Sequence, residues 1–150
     1  MSMAKKLLVK SKVSREHYKA DACVVWCFDD RFTPTRRRFF KKLGLQRIDR
    51  VIIAGGAKVL AVAESTFDKK FVLGQITTSI RLHHTKHVIL VTHSDCGAYG
   101  GLAAFGNDSV KELAAHARDQ KRAVAAVKKA VPRGTRVESV FVDFEGVWRI

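Results

Sequence analysis

Four short runs of apolar residues recur along the chain, and they do not alternate with polar ones. Ala22-Cys23-Val24-Val25-Trp26 is apolar throughout, and Val51-Ile52-Ile53-Ala54, after Arg50, is a second such run. Val88 to Val91, within a predicted strand His87 to His93, is the third, and Val140 to Val142, within a last predicted strand Val137 to Phe144, is the fourth. A strand with no polar face must be covered on both sides, which is the condition of a parallel sheet lying between two layers of helices. The segments between the runs read as those helices. Thr33-Pro34 predicts an N-cap and a first helical residue, and Gly44 predicts a stop after about Leu43. A second helix is predicted over roughly 69–85. Ser109-Val110-Lys111-Glu112 matches a capping box, in which the serine and the glutamate satisfy each other's free amides. Residues 110, 113, 114, 117, 124, 127 and 131 then place apolar side chains at helical spacing, until Pro132 and Gly134 end the pattern. Residues 5–19 are predicted helical, as an N-terminal arm over about 1–20. The expectation is one α/β domain over 1–150, because 150 residues suffice for a single core.

In such a sheet, ligands bind beyond the carboxyl ends of the strands. The first run ends in Cys27 and the third in His93, so both lie at that edge, and Cys96 follows His93 within three residues. Thiolates and imidazole suit zinc by softness. Three protein ligands would leave a fourth position for water, the form of a catalytic zinc site, where the metal brings the pKa of water close to 7. Cys23 competes with Cys27. The two are four residues apart on one strand, about 13 Å in extended chain, too far to share an ion. Cys23 therefore reads as a buried core thiol.

The residues after Cys27 fit the same chemistry. Asp29 can orient a water beside a metal, but a free carboxylate that close can also occupy the fourth position. Arg31, two residues on, can hold Asp29 away through a bidentate pair. Asp30 points the other way in extended chain and reads as an acceptor for the turn. His83, His84 and His87 read as a helix end and a solvated turn, and Trp26 as core.

Cys27-x-Asp29-x-Arg31 followed by His93-Ser94-Asp95-Cys96-Gly97-Ala98 resembles the paired motifs of the β-class carbonic anhydrases. The segment Val140-Phe141-Val142-Asp143-Phe144 is similar to the last strand of that family, so the resemblance spans most of the chain. It implies a four-stranded parallel sheet with an antiparallel C-terminal fifth strand. It implies Zn2+ on Cys27, His93 and Cys96, with an Asp29–Arg31 dyad and Asp29 as a fourth ligand in a closed state. It implies reversible hydration of carbon dioxide to bicarbonate and a proton, in a homodimer or a dimer-based tetramer. Gly97 and Tyr99 are the candidates for the substrate pocket. One departure is visible. The family's second strand commonly ends Arg-Asn-Ala-Gly, and here the same place reads Ile52-Ile53-Ala54-Gly55.

Composition narrows the alternatives. No apolar run approaches the roughly 20 residues of a membrane helix, and the apolar stretch near Met1 is too short for a secretory signal. The expectation is a soluble, cytoplasmic protein. Three cysteines do not make a disulfide framework. The net charge of +14 invites nucleic acid, but the basic residues are spread out, with one local peak at Arg36-Arg37-Arg38 and Lys41-Lys42. Neither zinc-finger spacing nor an aromatic RNA-binding signature accompanies them, so specific nucleic-acid binding is not expected. Two rival functions remain: a COS or CS2 hydrolase on the same scaffold, and a non-catalytic zinc-binding homologue with an anionic partner. The Asp29–Arg31 pair speaks against the second, since a structural zinc has no use for it.

Overall fold

The computed structural model describes residues 4–150. Its centre is β1 (Ala22–Trp26), a strand with no exposed residue. Ala22, Val24 and Trp26 point into one core and Cys23 and Val25 into the other. β1 pairs in parallel with β2 (Ile48–Ile52) on one side and β3 (His87–His93) on the other. β3 pairs in parallel with β4 (Arg136–Val142), and β5 (Val147–Trp148) closes that edge antiparallel to β4. The order β2-β1-β3-β4-β5 is thus four parallel strands and an antiparallel C-terminal fifth. Each fully buried Val, Ile or Leu in these strands contributes roughly 1.5–3 kcal/mol.

Helices cover both faces. α1 (Thr33–Lys42) lays Phe39 and Phe40 against Trp26 on one face. On the other, α2 (Lys58–Ala61), α3 (Phe67–His83) and α4 (Ser109–Ala130) bring Leu60, Ile76, Ala123 and Val127 onto Cys23, Val25, Val88 and Leu90. No helix among the described residues is long and apolar enough to cross a membrane.

Four expectations are corrected. Residues 4–21 form no helix; the segment has no regular secondary structure and is almost wholly exposed, and residues 1–3 of the expected arm lie outside the described residues. It carries Leu7, Leu8, Val9 and Val13 into solvent, so its apolar residues find no surface on this chain to make a helix worthwhile. Its end is anchored where the Tyr18 hydroxyl donates to Asp49 at 2.6 Å, and Tyr18 stacks on His83. β2 is not a buried strand but an edge strand, half-exposed along its length. Thr33 is the first residue of α1 rather than its cap, and its hydroxyl donates to Asp30 at 2.9 Å.

The fourth correction concerns α4. Asp108, not Ser109, caps the helix, accepting from the amides of Val110 and Lys111. The buried stripe is Glu112, His116, Gln120, Ala123 and Val127, while Val110 is 74% exposed. The first turn therefore buries Glu112 and exposes Val110, because what lies beneath it is the polar Ser94–Asp95 loop rather than hydrocarbon.

Candidate metal centre

Parallel register brings the centre together. Val25 of β1 lies opposite Leu90 of β3, so both strands end at one edge of the sheet, with Cys27 just beyond β1 and His93 the last residue of β3. The chain then turns at Ser94 and Asp95, with Asp95 in the left-handed region at φ +52°, and returns Cys96 to the same point. Short polar residues tolerate that conformation best after glycine. The ligating atoms of Cys27, His93 and Cys96 lie within 4.8 Å of one another, and all three residues are buried. This cluster can hold a metal ion. Cys23 is buried in the opposite core, where desolvation pushes its thiol up to about 11.

The surroundings favour ligation. His93 Nδ1 donates to the Ser94 carbonyl at 2.7 Å, which fixes the tautomer and leaves Nε2 as a bare lone pair. That Nε2 is buried and has no hydrogen-bond partner. The Cys96 thiol, hydrogen-bonded to Cys27, draws the Cys27 thiol down against burial and is itself pushed up by the same contact. Backbone amides reinforce the sulfurs, those of Asp29 and Gly55 at Cys27 and those of Ala98 and Tyr99 at Cys96. Two sulfurs, one imidazole lone pair and amide donors behind them make a donor set that fits zinc.

Asp29 stands at the open side. Its Oδ2 is 4.0 Å from His93 Nε2. Arg31 grips it through Nη2 at 2.7 Å and Nε at 3.0 and 3.1 Å, and holds its carboxyl below the usual range. Arg31 is in turn fixed by Asp95, whose Oδ2 and carbonyl accept from Nη1 and Nη2, each at 3.0 Å. The guanidinium also lies over the rings of Phe32 and Phe144, and Phe32 packs on His93 with ring centroids 4.7 Å apart.

A model of the family described as "Putative carbonic anhydrase" matches residues 17–150. The chain belongs to this family. An uncharacterized protein of Rickettsia conorii is 30% identical over 152 residues, covering 97% of this chain and 81% of the relative. Among solved structures, the carbonic anhydrase of Streptococcus mutans superposes with a TM-score of 0.62 at 18% identity, covering 94% of this chain and 87% of that one. A carbon disulfide hydrolase in its apo form gives a TM-score of 0.57 at 16% identity, covering 88% and 80%. At such identities the two structures show a shared fold.

Other residues around the carbonic anhydrase-like centre are placed as follows. Gly97 is exposed beside Cys96 and opens the turn Gly97–Tyr99. Tyr99 turns away from solvent: its hydroxyl donates to Asp119 at 3.0 Å, its ring stacks on His116 at 4.2 Å, and Lys58 lies over it. His83, at the end of α3, and His87, at the start of β3, are engaged with Asp49 and Glu138, each at 2.7 Å, away from the strand ends that carry Cys27 and His93. At the departure from the family's pattern, Ile52 ends β2 and Ile53 follows it, its amide donating to the Trp26 carbonyl at 2.9 Å.

Sequence reasoning missed two groups. Asp95 is the second carboxylate on Arg31, and its position inside the His-x-x-Cys loop was the only available signal. Glu112 accepts from the Asp95 amide at 2.6 Å and the Ser94 hydroxyl at 2.7 Å. Its capping-box spacing concealed that.

Proposed function

We propose that the protein is a zinc-dependent carbonic anhydrase of the β-class, converting carbon dioxide and water to bicarbonate and a proton, with Cys27, His93 and Cys96 as metal ligands. The observation that carries this reading is the buried, unpartnered Nε2 of His93, 4.0 Å from a carboxylate that Arg31 holds off. Zinc held there supplies a water acidic enough to ionise near neutral pH. The chain's own residues do the rest. Asp29, gripped by Arg31, keeps an oxygen facing the ligand cluster and can accept a hydrogen bond from a water there, aiming that water's oxygen at carbon dioxide. Phe32 and Phe144 wall the approach with apolar surface suited to an uncharged substrate. We assign Gly97, exposed beside Cys96, to the substrate approach, and Tyr99 to the wall behind that loop.

Hydrolysis of COS or CS2 is the second reading, favoured by the fold shared with the carbon disulfide hydrolase. A non-catalytic zinc role has no use for the Asp29–Arg31 grip. The exposed apolar side chains of the N-terminal segment support a homodimer or dimer-based tetramer. The three free cysteines support a reducing, cytoplasmic setting. Carbon dioxide hydration, COS hydrolysis and CS2 hydrolysis assayed on one zinc-loaded sample test the proposal. Hydration should dominate; turnover of COS or CS2 alone would establish the second reading, and turnover of none would reject both.

A further inference from the structure

We propose that Glu112 is a positioning residue of the metal loop, a role that rests on the metal site argued above. Glu112 lies on the first turn of α4 and is 1% exposed. A buried carboxyl group is costly unless its oxygens are hydrogen-bonded. No ion pair to Glu112 occurs among the described residues, and helix capping is already done by Asp108. Both of its oxygens are instead spent on the two residues between His93 and Cys96. Oε1 accepts from the Asp95 amide at 2.6 Å and Oε2 from the Ser94 hydroxyl at 2.7 Å.

These are the residues that orient the site. The Ser94 carbonyl takes the Nδ1 proton of His93 and so aims Nε2 at the cluster. The Asp95 carbonyl and side chain hold both terminal nitrogens of Arg31, which holds Asp29. One carboxyl group on a helix thus ties down the imidazole direction and the arginine fork together. It also pins Asp95 in its left-handed conformation, which that residue would otherwise leave readily. Rigid helices position ligands better than loops do, and here the loop borrows its rigidity from α4.

Zinc affinity, measured by competition with a chromogenic chelator, separates this role from simple core filling. Glu112→Met keeps the length and removes both acceptors; it should weaken zinc binding at least about tenfold, the usual cost of losing an outer hydrogen bond to a ligand loop. Glu112→Gln can still accept from the Asp95 amide while its NH2 donates to the Ser94 hydroxyl, so it should stay within about threefold of wild type. Should Glu112→Met fail to fold, Glu112→Asp keeps the carboxylate but lacks the reach, and should also lose about tenfold. Folded Glu112→Met or Glu112→Asp with wild-type affinity would overturn the proposal, as would Glu112→Gln as weak as Glu112→Met. Wild-type protein that binds zinc but turns over no substrate would reject the proposed activity and leave this result standing.

Discussion

One hydrogen bond gives the two nitrogens of His93 opposite tasks. Nδ1 is spent on the Ser94 carbonyl, and Nε2 is left buried with nothing to bind. An orphaned buried lone pair costs about 1–3 kcal/mol, which a metal ion would recover. Cys96→Ser should therefore lose zinc by more than the 10–100-fold that an outer-shell change costs, read by metal analysis after dialysis. Cys23→Ser, altered in the opposite core, should keep it; equal loss in both would mean the wrong thiol was assigned. Arg31 offers a finer test. Arg31→Ala removes no ligand and should retain zinc, yet lose at least about tenfold in turnover, because Asp29 is then free to enter the fourth position. The Asp29→Ala/Arg31→Ala double variant should recover part of that loss if self-blocking is its cause. An Arg31→Ala enzyme as fast as wild type would remove the gating role.

At the scale of elements, the centre depends on how closely the turn after β2 can approach the ends of β1 and β3. Gly56 has φ +53°, and a Cβ there would lie 2.3 Å from the Val91 carbonyl oxygen and 3.0 Å from the Cys27 amide. Both neighbours are backbone, one belonging to the candidate ligand Cys27 and one within β3, so neither can move cheaply. Gly106 also has positive φ, at +68°, but a Cβ there meets nothing. Gly106→Ala should cost about 1–2 kcal/mol, the left-handed penalty alone. Gly56→Ala should cost roughly 3 kcal/mol or more, since it adds a backbone clash. Urea unfolding of the two variants side by side checks this, and equal losses would show that the turn yields without strain. α4 meets a different neighbour at each turn of its buried face: Glu112 the Ser94–Asp95 loop, His116 the rings of Tyr99, Phe105 and Phe141, and Gln120 the Thr92 hydroxyl and Val140 carbonyl, while Val110 is left outside.

For the molecule as a whole, pH and assembly are the accessible readouts. His116 is fully buried among Tyr99, Phe105 and Phe141, and burial pulls its imidazole down to about 4 from an ordinary 6.5. Between those values the unfolded chain takes up a proton that the native protein refuses. Stability should then fall as pH drops from about 6.5 to 4, by roughly 3 kcal/mol at most from this group. His116→Phe keeps a ring in the stack and should flatten that interval of the stability curve; an unchanged slope would assign the effect to other groups. Assembly is read by sedimentation. Leu7, Leu8, Val9 and Val13 are each more than three-quarters exposed, so dimers or larger species are expected at micromolar concentration. A monomer alone would count against them. Any nucleic-acid binding from the +14 charge should be weak and fall steeply with added salt.

The apolar runs were enough to predict the parallel sheet, because a strand's burial on two faces is written in its own residues. The three candidate ligands were legible for a related reason: strand ends in such a sheet converge on one edge, and Cys27, His93 and Cys96 combined soft ligand chemistry with that position. The antiparallel fifth strand came from resemblance to a family, whereas the Asp29–Arg31 pair was legible in the charges and spacing just after Cys27. What local pattern could not reach was every choice made by packing. The N-terminal segment has helix-forming residues but, in this chain, no surface to lie on. Ser109 and Glu112 have the spacing of a capping box, yet Asp108 takes the amides and Glu112 turns to Ser94 and Asp95, which are 18 and 17 residues away. A hydrogen-bonding side chain takes the best partner that folding brings within 3 Å, and for a buried one that partner is set by the tertiary structure.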